Sequence, residues 1–176
     1  MEIRYLKETD DRYAISEIYE RSWKYAYRDI VPEAYLAGIP KGQWAQGIDA
    51  EGRYTMVMED GRNIIGTASF CRSRMEEMAD CGEVVSIYFL PEYMGKGCGK
   101  LLLDAVMGEL ETMGFKDIFL WVLEENYNAR HFYEKYGFEI SDRYMENDIG
   151  GKRLREVQYC YMIPVKGCFE IKSGSD

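Results

Sequence analysis

Val84-Val85-Ser86-Ile87-Tyr88-Phe89-Leu90-Pro91-Glu92-Tyr93-Met94-Gly95-Lys96-Gly97-Cys98-Gly99-Lys100 runs from a β-rich segment, through a turn holding three glycines, toward a helix. The helix is read from Leu102, Ala105, Val106, Leu110 and Met113, apolar residues spaced to share one face, and Gly114 supplies its stop. The apolar run Ile118–Leu123 follows, as expected of a central parallel strand buried on both faces. Strand, glycine turn, helix and strand in that order form a βαβ unit with a right-handed crossover.

On the N-terminal side, Met1–Leu6 alternates as a strand. Thr9 or Asp10 is placed to cap a helix carrying Ile15, Ile18, Ser22/Trp23 and Ala26, and Pro32 opens a short helix ending near Gly38. Tyr54–Met58 and Ile64–Cys71 flank an Asp60-Gly61 pair and read as a hairpin. On the C-terminal side, Asn126 or Asn128 caps a helix with Ala129, Phe132, Tyr133 and Tyr136 on one side and Gly137 as its stop. Strands over Glu139–Glu146 and Leu154–Met162 come next, with Gly150-Gly151 between them. The mixture fits a single α/β (α+β) domain over residues 1–166, with 167–176 as a C-terminal tail whose Ser/Gly-rich end, Lys172–Asp176, is expected to fray.

The 176 residues carry 22 Lys and Arg against 31 Asp and Glu, a formal net charge of −9, which argues against broad phosphate neutralisation of nucleic acid. Five cysteines in no C-x-x-C pair read as free thiols of a reducing compartment. No apolar run reaches a membrane span and the N-terminal residues hold no signal core, so a cytoplasmic location without membrane partners is expected. His131 is the single histidine, which excludes two-histidine metal sites within one chain, and no metal is expected. No G-x-S-x-G elbow accompanies it.

Glycines between a strand and a helix N-terminus let backbone amides approach a phosphate, and Lys96 and Lys100 add charge. Two phosphate motifs fail here. Met94 and Leu101 break the P-loop pattern, and the spacing of Gly95, Gly97 and Gly99 breaks the dinucleotide fingerprint. The turn Met94-Gly95-Lys96-Gly97-Cys98-Gly99 resembles the acetyl-CoA-binding motif of the GNAT superfamily of N-acetyltransferases, Q/R-x-x-G-x-G/A, with Met94 in place of Arg or Gln. Further on, Asn126-Tyr127-Asn128-Ala129-Arg130-His131-Phe132-Tyr133-Glu134-Lys135-Tyr136-Gly137-Phe138 is similar to the family's N-x-x-A-x-x-F-Y-x-x-x-G-F segment.

The resemblance implies a largely antiparallel twisted sheet of six or seven strands flanked by helices, with a central splayed parallel pair. It implies acetyl-CoA as co-substrate, gripped by the amide-lined cradle of Met94 to Lys100. Ile87, Tyr88 and Phe89 would pair with the pantetheine arm, Asn126 would contact that arm, and Tyr133 would lie near the sulfur. Direct transfer to an amine in a ternary complex sets three tasks. The ammonium must lose a proton, the thioester oxygen needs a donor, and the leaving thiolate needs a proton. Tyr133 is the candidate acid, and an amide near Tyr88 or Phe89 the donor.

The resemblance makes Glu83 the candidate base, since it lies eleven residues before Met94, the spacing at which histone-modifying members of the family hold their catalytic Glu; Ser86 and Glu124 are weaker options. Cys98 reads as packing. The acidic residues Glu76, Glu77 and Asp80 favour a cationic acceptor, a small-molecule or peptide amine, and Tyr25, Tyr27 and Tyr35 are candidates to line its pocket. The family resemblance also implies a homodimer through the late strands. Two other readings stay open: an acyl-CoA-binding sensor without turnover, and a nucleotide-phosphate transferase using Gly95–Lys100.

Overall fold

The computed structural model describes residues 1–164; the expected tail and Cys168 lie outside the described residues. Seven strands form one sheet: β1 (Glu2–Tyr5), β2 (Arg53–Asp60), β3 (Asn63–Arg72), β4 (Gly82–Phe89), β5 (Asp117–Leu123), β6 (Glu139–Ile149) and β7 (Lys152–Met162). Their order is β1-β2-β3-β4-β5-β7-β6. Every neighbouring pair is antiparallel except β4 and β5. The late hairpin is present, but its second strand β7 inserts beside β5 and leaves β6 on the edge.

Helices α1 (Arg12–Ala26) and α2 (Glu33–Ala37) cover one face, and α3 (Cys98–Thr112) and α4 (Tyr127–Tyr136) the other. The cap of α1 is Asp11, not Thr9 or Asp10. Its carboxylate accepts from the amides of Tyr13 and Ala14, while Asp10 is held by Arg4. The larger core lies under α3, where Leu102, Leu103, Val106 and Leu110 meet Phe70, Val84, Ile118 and Leu120. Met113, expected on that face, is exposed and follows the last helical turn. Two smaller clusters lie on the opposite face, one around Ile15, Tyr19 and Val57, the other joining Ile30 and Leu36 to Leu123 and Leu154. No described helix is long and apolar enough to cross a membrane.

The parallel pair determines where a ligand can enter. Gly82, Glu83 and Val84 pair with Ile118, Phe119 and Leu120, after which the two strands part. A bulge opposite Ser69 and Phe70 inserts one extra residue, Val85, into β4. Val84 therefore shares the α3 face with Ile87 and Phe89, whereas Glu83, Ser86 and Tyr88 face α1. Beyond the bulge, Leu90 donates to Ile65 on β3. Strand alternation then turns Tyr88's amide to β3 and the amides of Ile87 and Phe89 to the open edge.

Candidate active site

A cleft of roughly 1230 Å³ occupies the gap between β4 and β5. Because the sheet is split there, residues of both faces line it: Trp23 and Tyr27 of α1, Gly95 and Gly99 before and within α3, and Asn126 and Tyr133 at α4. It lies beyond the carboxyl end of the paired segment, where ligands bind in open α/β sheets.

On the α3 side the lining is backbone. Gly95 and Gly97 have φ of 73° and 83°, a left-handed conformation that favours glycine, and a Cβ on either would meet nothing within 4 Å. Gly97 caps α3 with no side-chain bond, and the first intrahelical bond found there runs from Leu101 N to Gly97 O. Among the described residues, none of the six amides from Gly95 to Lys100 donates to a protein acceptor. Together with the positive end of the helix dipole, they are chemically suited to an anion. Lys96 is exposed over the Tyr93 ring, and Lys100 pairs with Asp104 at 2.7 Å. Met94 packs half-buried against the core, and Cys98 is fully buried with its thiol against Met1 Sδ, in keeping with a packing role.

Asn126 is buried at the start of α4, its Oδ1 accepting from Ala129 N at 3.2 Å, and it lines the cleft. The cap uses only the oxygen, so the Nδ2 donors have no partner among the described residues. One turn on, Arg130 and Glu134 both bind the Tyr159 hydroxyl of β7, which fixes α4 on the sheet. Tyr133 lies between those anchors, its ring edge-on to Phe132 and Phe138. Its hydroxyl has no hydrogen-bond partner among the described residues. Burial, with Tyr88 as a lesser cause, pushes the phenol well above its ordinary value. It therefore stays protonated across the neutral range. His131 is exposed and outside the cleft lining.

On the α1 side the lining is side chain. Trp23 Nε1 donates to the Tyr88 hydroxyl at 3.0 Å, and Tyr88 is pushed up to about 12 by burial. Tyr25 and Tyr27 line the cleft; Tyr35 instead packs beside Gly150. Glu83 is 2% exposed, and Arg74 holds both its oxygens: Nη2 to Oε1 at 2.5 Å, Nε to Oε2 at 3.1 Å, and the backbone amide to Oε2 at 3.1 Å. Ser86 belongs to a hydroxyl chain with Tyr19, Ser69 and Thr55. Glu124 turns toward Arg155 and, like Glu76, Glu77 and Asp80, does not line the cleft.

The acidic groups that do line it include Glu83, Glu125 and Glu156. Glu156 and Arg74 escape a motif search. Exposed Arg153 and Arg155 alternating with buried Leu154 do put Glu156 at an inward position, but Val157, Gln158 and Tyr159 beyond it are all buried, so alternation alone does not single it out.

A profile of the Acetyltransferase (GNAT) family matches residues 12–138. The uncharacterized N-acetyltransferase YuaI of Bacillus subtilis is 32% identical over 149 residues, 81% of this chain and 83% of that protein. The spermidine N(1)-acetyltransferase of Thermoplasma acidophilum is 26% identical, covering 81% of this chain and 90% of its own length. Among solved structures, the PaiA N-acetyltransferase of Thermoplasma acidophilum in complex with coenzyme A superposes with a TM-score of 0.65 at 23% identity. That match covers 89% of this chain and 98% of PaiA. The split sheet, the amide-lined turn and these relatives lead to one conclusion: the chain belongs to the GNAT family of N-acetyltransferases.

Proposed function

We propose that this enzyme moves the acetyl group of acetyl-CoA directly to a primary amine of a small molecule or peptide, with both substrates bound together. One observation carries the reading. The cleft is bordered by the turn of unpaired amides Gly95 to Lys100, through Gly95 and Gly99, and by the partnerless phenol of Tyr133. Acetyl-CoA supplies an acyl group activated as a thioester, and its diphosphate is the anion those amides suit. The amides of Ile87 and Phe89, on the open edge of β4, are suited to pair with the amide groups of the pantetheine arm as a missing strand would.

Asn126 Nδ2 is a further donor to that arm. Tyr133, kept neutral by burial, is the acid for the departing thiolate. Phe89's amide, at the strand end, is the donor for the thioester oxygen. A cationic acceptor fits an enzyme of net charge −9 with carboxylates in the cleft, and spermidine, the substrate in a relative's name, is one such amine. The four described cysteines are free thiols, which supports a reducing, cytoplasmic setting.

The test is thiol release from acetyl-CoA across polyamines, aminoglycosides, amino acids and basic peptides. Release above background with at least one amine, with no need for Mg²⁺ or ATP, is the expected result. Tight coenzyme A binding without any release would instead identify an acyl-CoA sensor.

A further inference from the structure

The cleft contains a second inward carboxylate to which the reading above gives no task. Glu156 stands opposite Leu123 on β5 and Met145 on β6, on the sheet face that also carries Leu154 and Gln158. It is half-buried and lines the cleft. Asn147 Nδ2 donates to its Oε2 at 2.8 Å, and Oε1 has no partner among the described residues. Nor does Glu156 enter an ion pair among them. Arg74, the cation whose charge it feels, is committed to Glu83, and Arg155 is engaged by Glu124 and Glu146.

The two carboxylates of this face are thus in opposite states. Glu83 is saturated by one guanidinium. Glu156 is partly desolvated without an ion-pair partner, and burial holds its carboxyl above the usual range, with Asn147 and Arg74 acting the other way. Trp23, Tyr27 and Tyr88 line the same cleft as Glu156. A half-buried carboxylate with no ion-pair partner, in a cleft lined by aromatic rings, is the surrounding an alkylammonium prefers.

We propose that Glu156, rather than Glu83, receives the ammonium of the acceptor and takes its proton, against a wall formed by Trp23, Tyr27 and Tyr88. This rests on the acetyl-transfer reading and names the residue that prepares its nucleophile. The ammonium gives one proton to the Glu156 carboxylate. The neutral nitrogen then forms the C–N bond as the thioester C–S bond breaks. Tyr133 protonates the leaving sulfur, and the second proton lost by nitrogen restores the phenol. Glu156 returns its proton to water. The sum is one amide, one thiol and one proton released.

The test compares Glu156→Gln and Glu83→Gln in the full chain, with spermidine as the probe amine. Gln keeps an oxygen for Asn147 and removes only the charge and the basicity. Calorimetry should show coenzyme A binding unchanged in Glu156→Gln and spermidine binding to the coenzyme A complex weakened about tenfold or more. Its kcat/KM for spermidine should fall roughly 10²-fold. The acid limb of the wild-type pH profile, placed above the ordinary carboxylate range, should vanish in Glu156→Gln and persist in Glu83→Gln.

Wild-type spermidine affinity and pH profile in Glu156→Gln overturn the proposal. So does a coenzyme A complex of the wild type that ignores spermidine. Failure of the wild type to bind coenzyme A is a different result: it removes the acetyl-transfer reading itself, and this inference with it.

Discussion

The two sides of the split sheet bind by different means. Under α3 and α4 the donors are main chain, six amides of a glycine turn and two of a bare strand edge, backed by the largest core cluster of the molecule. Under α1 and α2 the lining is aromatic rings and carboxylates from α1, β4 and β7, backed by two small clusters. Main-chain recognition depends on backbone conformation and tolerates many side-chain changes. Side-chain recognition changes with each substitution. The main-chain side should therefore tolerate most side-chain substitutions, and the side-chain side few.

The sharpest way to break this contrast is a side chain on the backbone side. Gly97→Asp places a carboxylate beside the amides meant for a diphosphate, at a residue with φ of 83°. Like charges set side by side cost several kcal/mol, so acetyl-CoA affinity should fall by ~10²-fold or more, measured by calorimetry. Gly97→Ala serves as the control. Its Cβ meets nothing, so it should cost about 1 kcal/mol of backbone strain and leave most of the affinity. Normal binding by Gly97→Asp would remove the turn from the cofactor site.

Tyr133→Phe tests the point where the two sides meet. The hydroxyl has no described partner, so its loss leaves nothing unsatisfied and melting should be unchanged. As acid to the thiolate, however, it should lower kcat roughly 10–10³-fold at constant acetyl-CoA affinity. Because burial raises the phenol, its ionisation should give no alkaline limb to the rate between pH 7 and its ordinary value of ~10. An unchanged kcat would show that the sulfur leaves without it.

The same contrast explains what the chain discloses as a string of letters. Main-chain recognition needs glycines at fixed spacing, so Gly95 and Gly97 are legible, as is the Asn126 cap that opens α4. The proposed acceptor side draws on Trp23, Tyr88 and Glu156, 133 positions apart from first to last, and leaves no motif. Glu83 is legible by spacing, but its partner Arg74 is not, because the loop between β3 and β4 brings the two together only on folding. The insertion of β7 between β5 and β6 is likewise silent, since a hairpin reads the same whichever strand lies inside. Asp11 displaces Thr9 and Asp10 as the cap because Arg4 has already claimed Asp10, a contact made across the turn from β1.

Those two carboxylates differ in stability as well. Glu83→Gln strips the buried half of an ion pair whose other half is half-exposed, so Arg74 can turn to water. Loss of about 1–3 kcal/mol in denaturant unfolding is expected. Glu156 has the opposite sign. Its folded carboxyl titrates above its unfolded value, so its contribution is present at low pH and is lost as pH rises through the folded value. At neutral pH, Glu156→Gln should therefore leave stability equal or slightly higher. A marked loss there would mean that the charge is paired in the folded chain.

The smallest expected effect separates two duties of one residue. Asn126 caps α4 with its oxygen and offers its nitrogen to the cleft. Asn126→Asp retains a cap of equal quality, and a negative charge at a helix N-terminus is favourable, so stability should change by less than ~1 kcal/mol. The donor is gone, however, and a charge faces the pantetheine arm, so KM for acetyl-CoA should rise several-fold, on the order of one hydrogen bond. Asn126→Ala should show both losses, about 1 kcal/mol of capping and the same rise in KM. If Asn126→Asp leaves KM at the wild-type value while Asn126→Ala destabilises, the residue is a cap alone. The cofactor arm would then be held by main chain along its whole length, which makes the contrast between the two faces stricter.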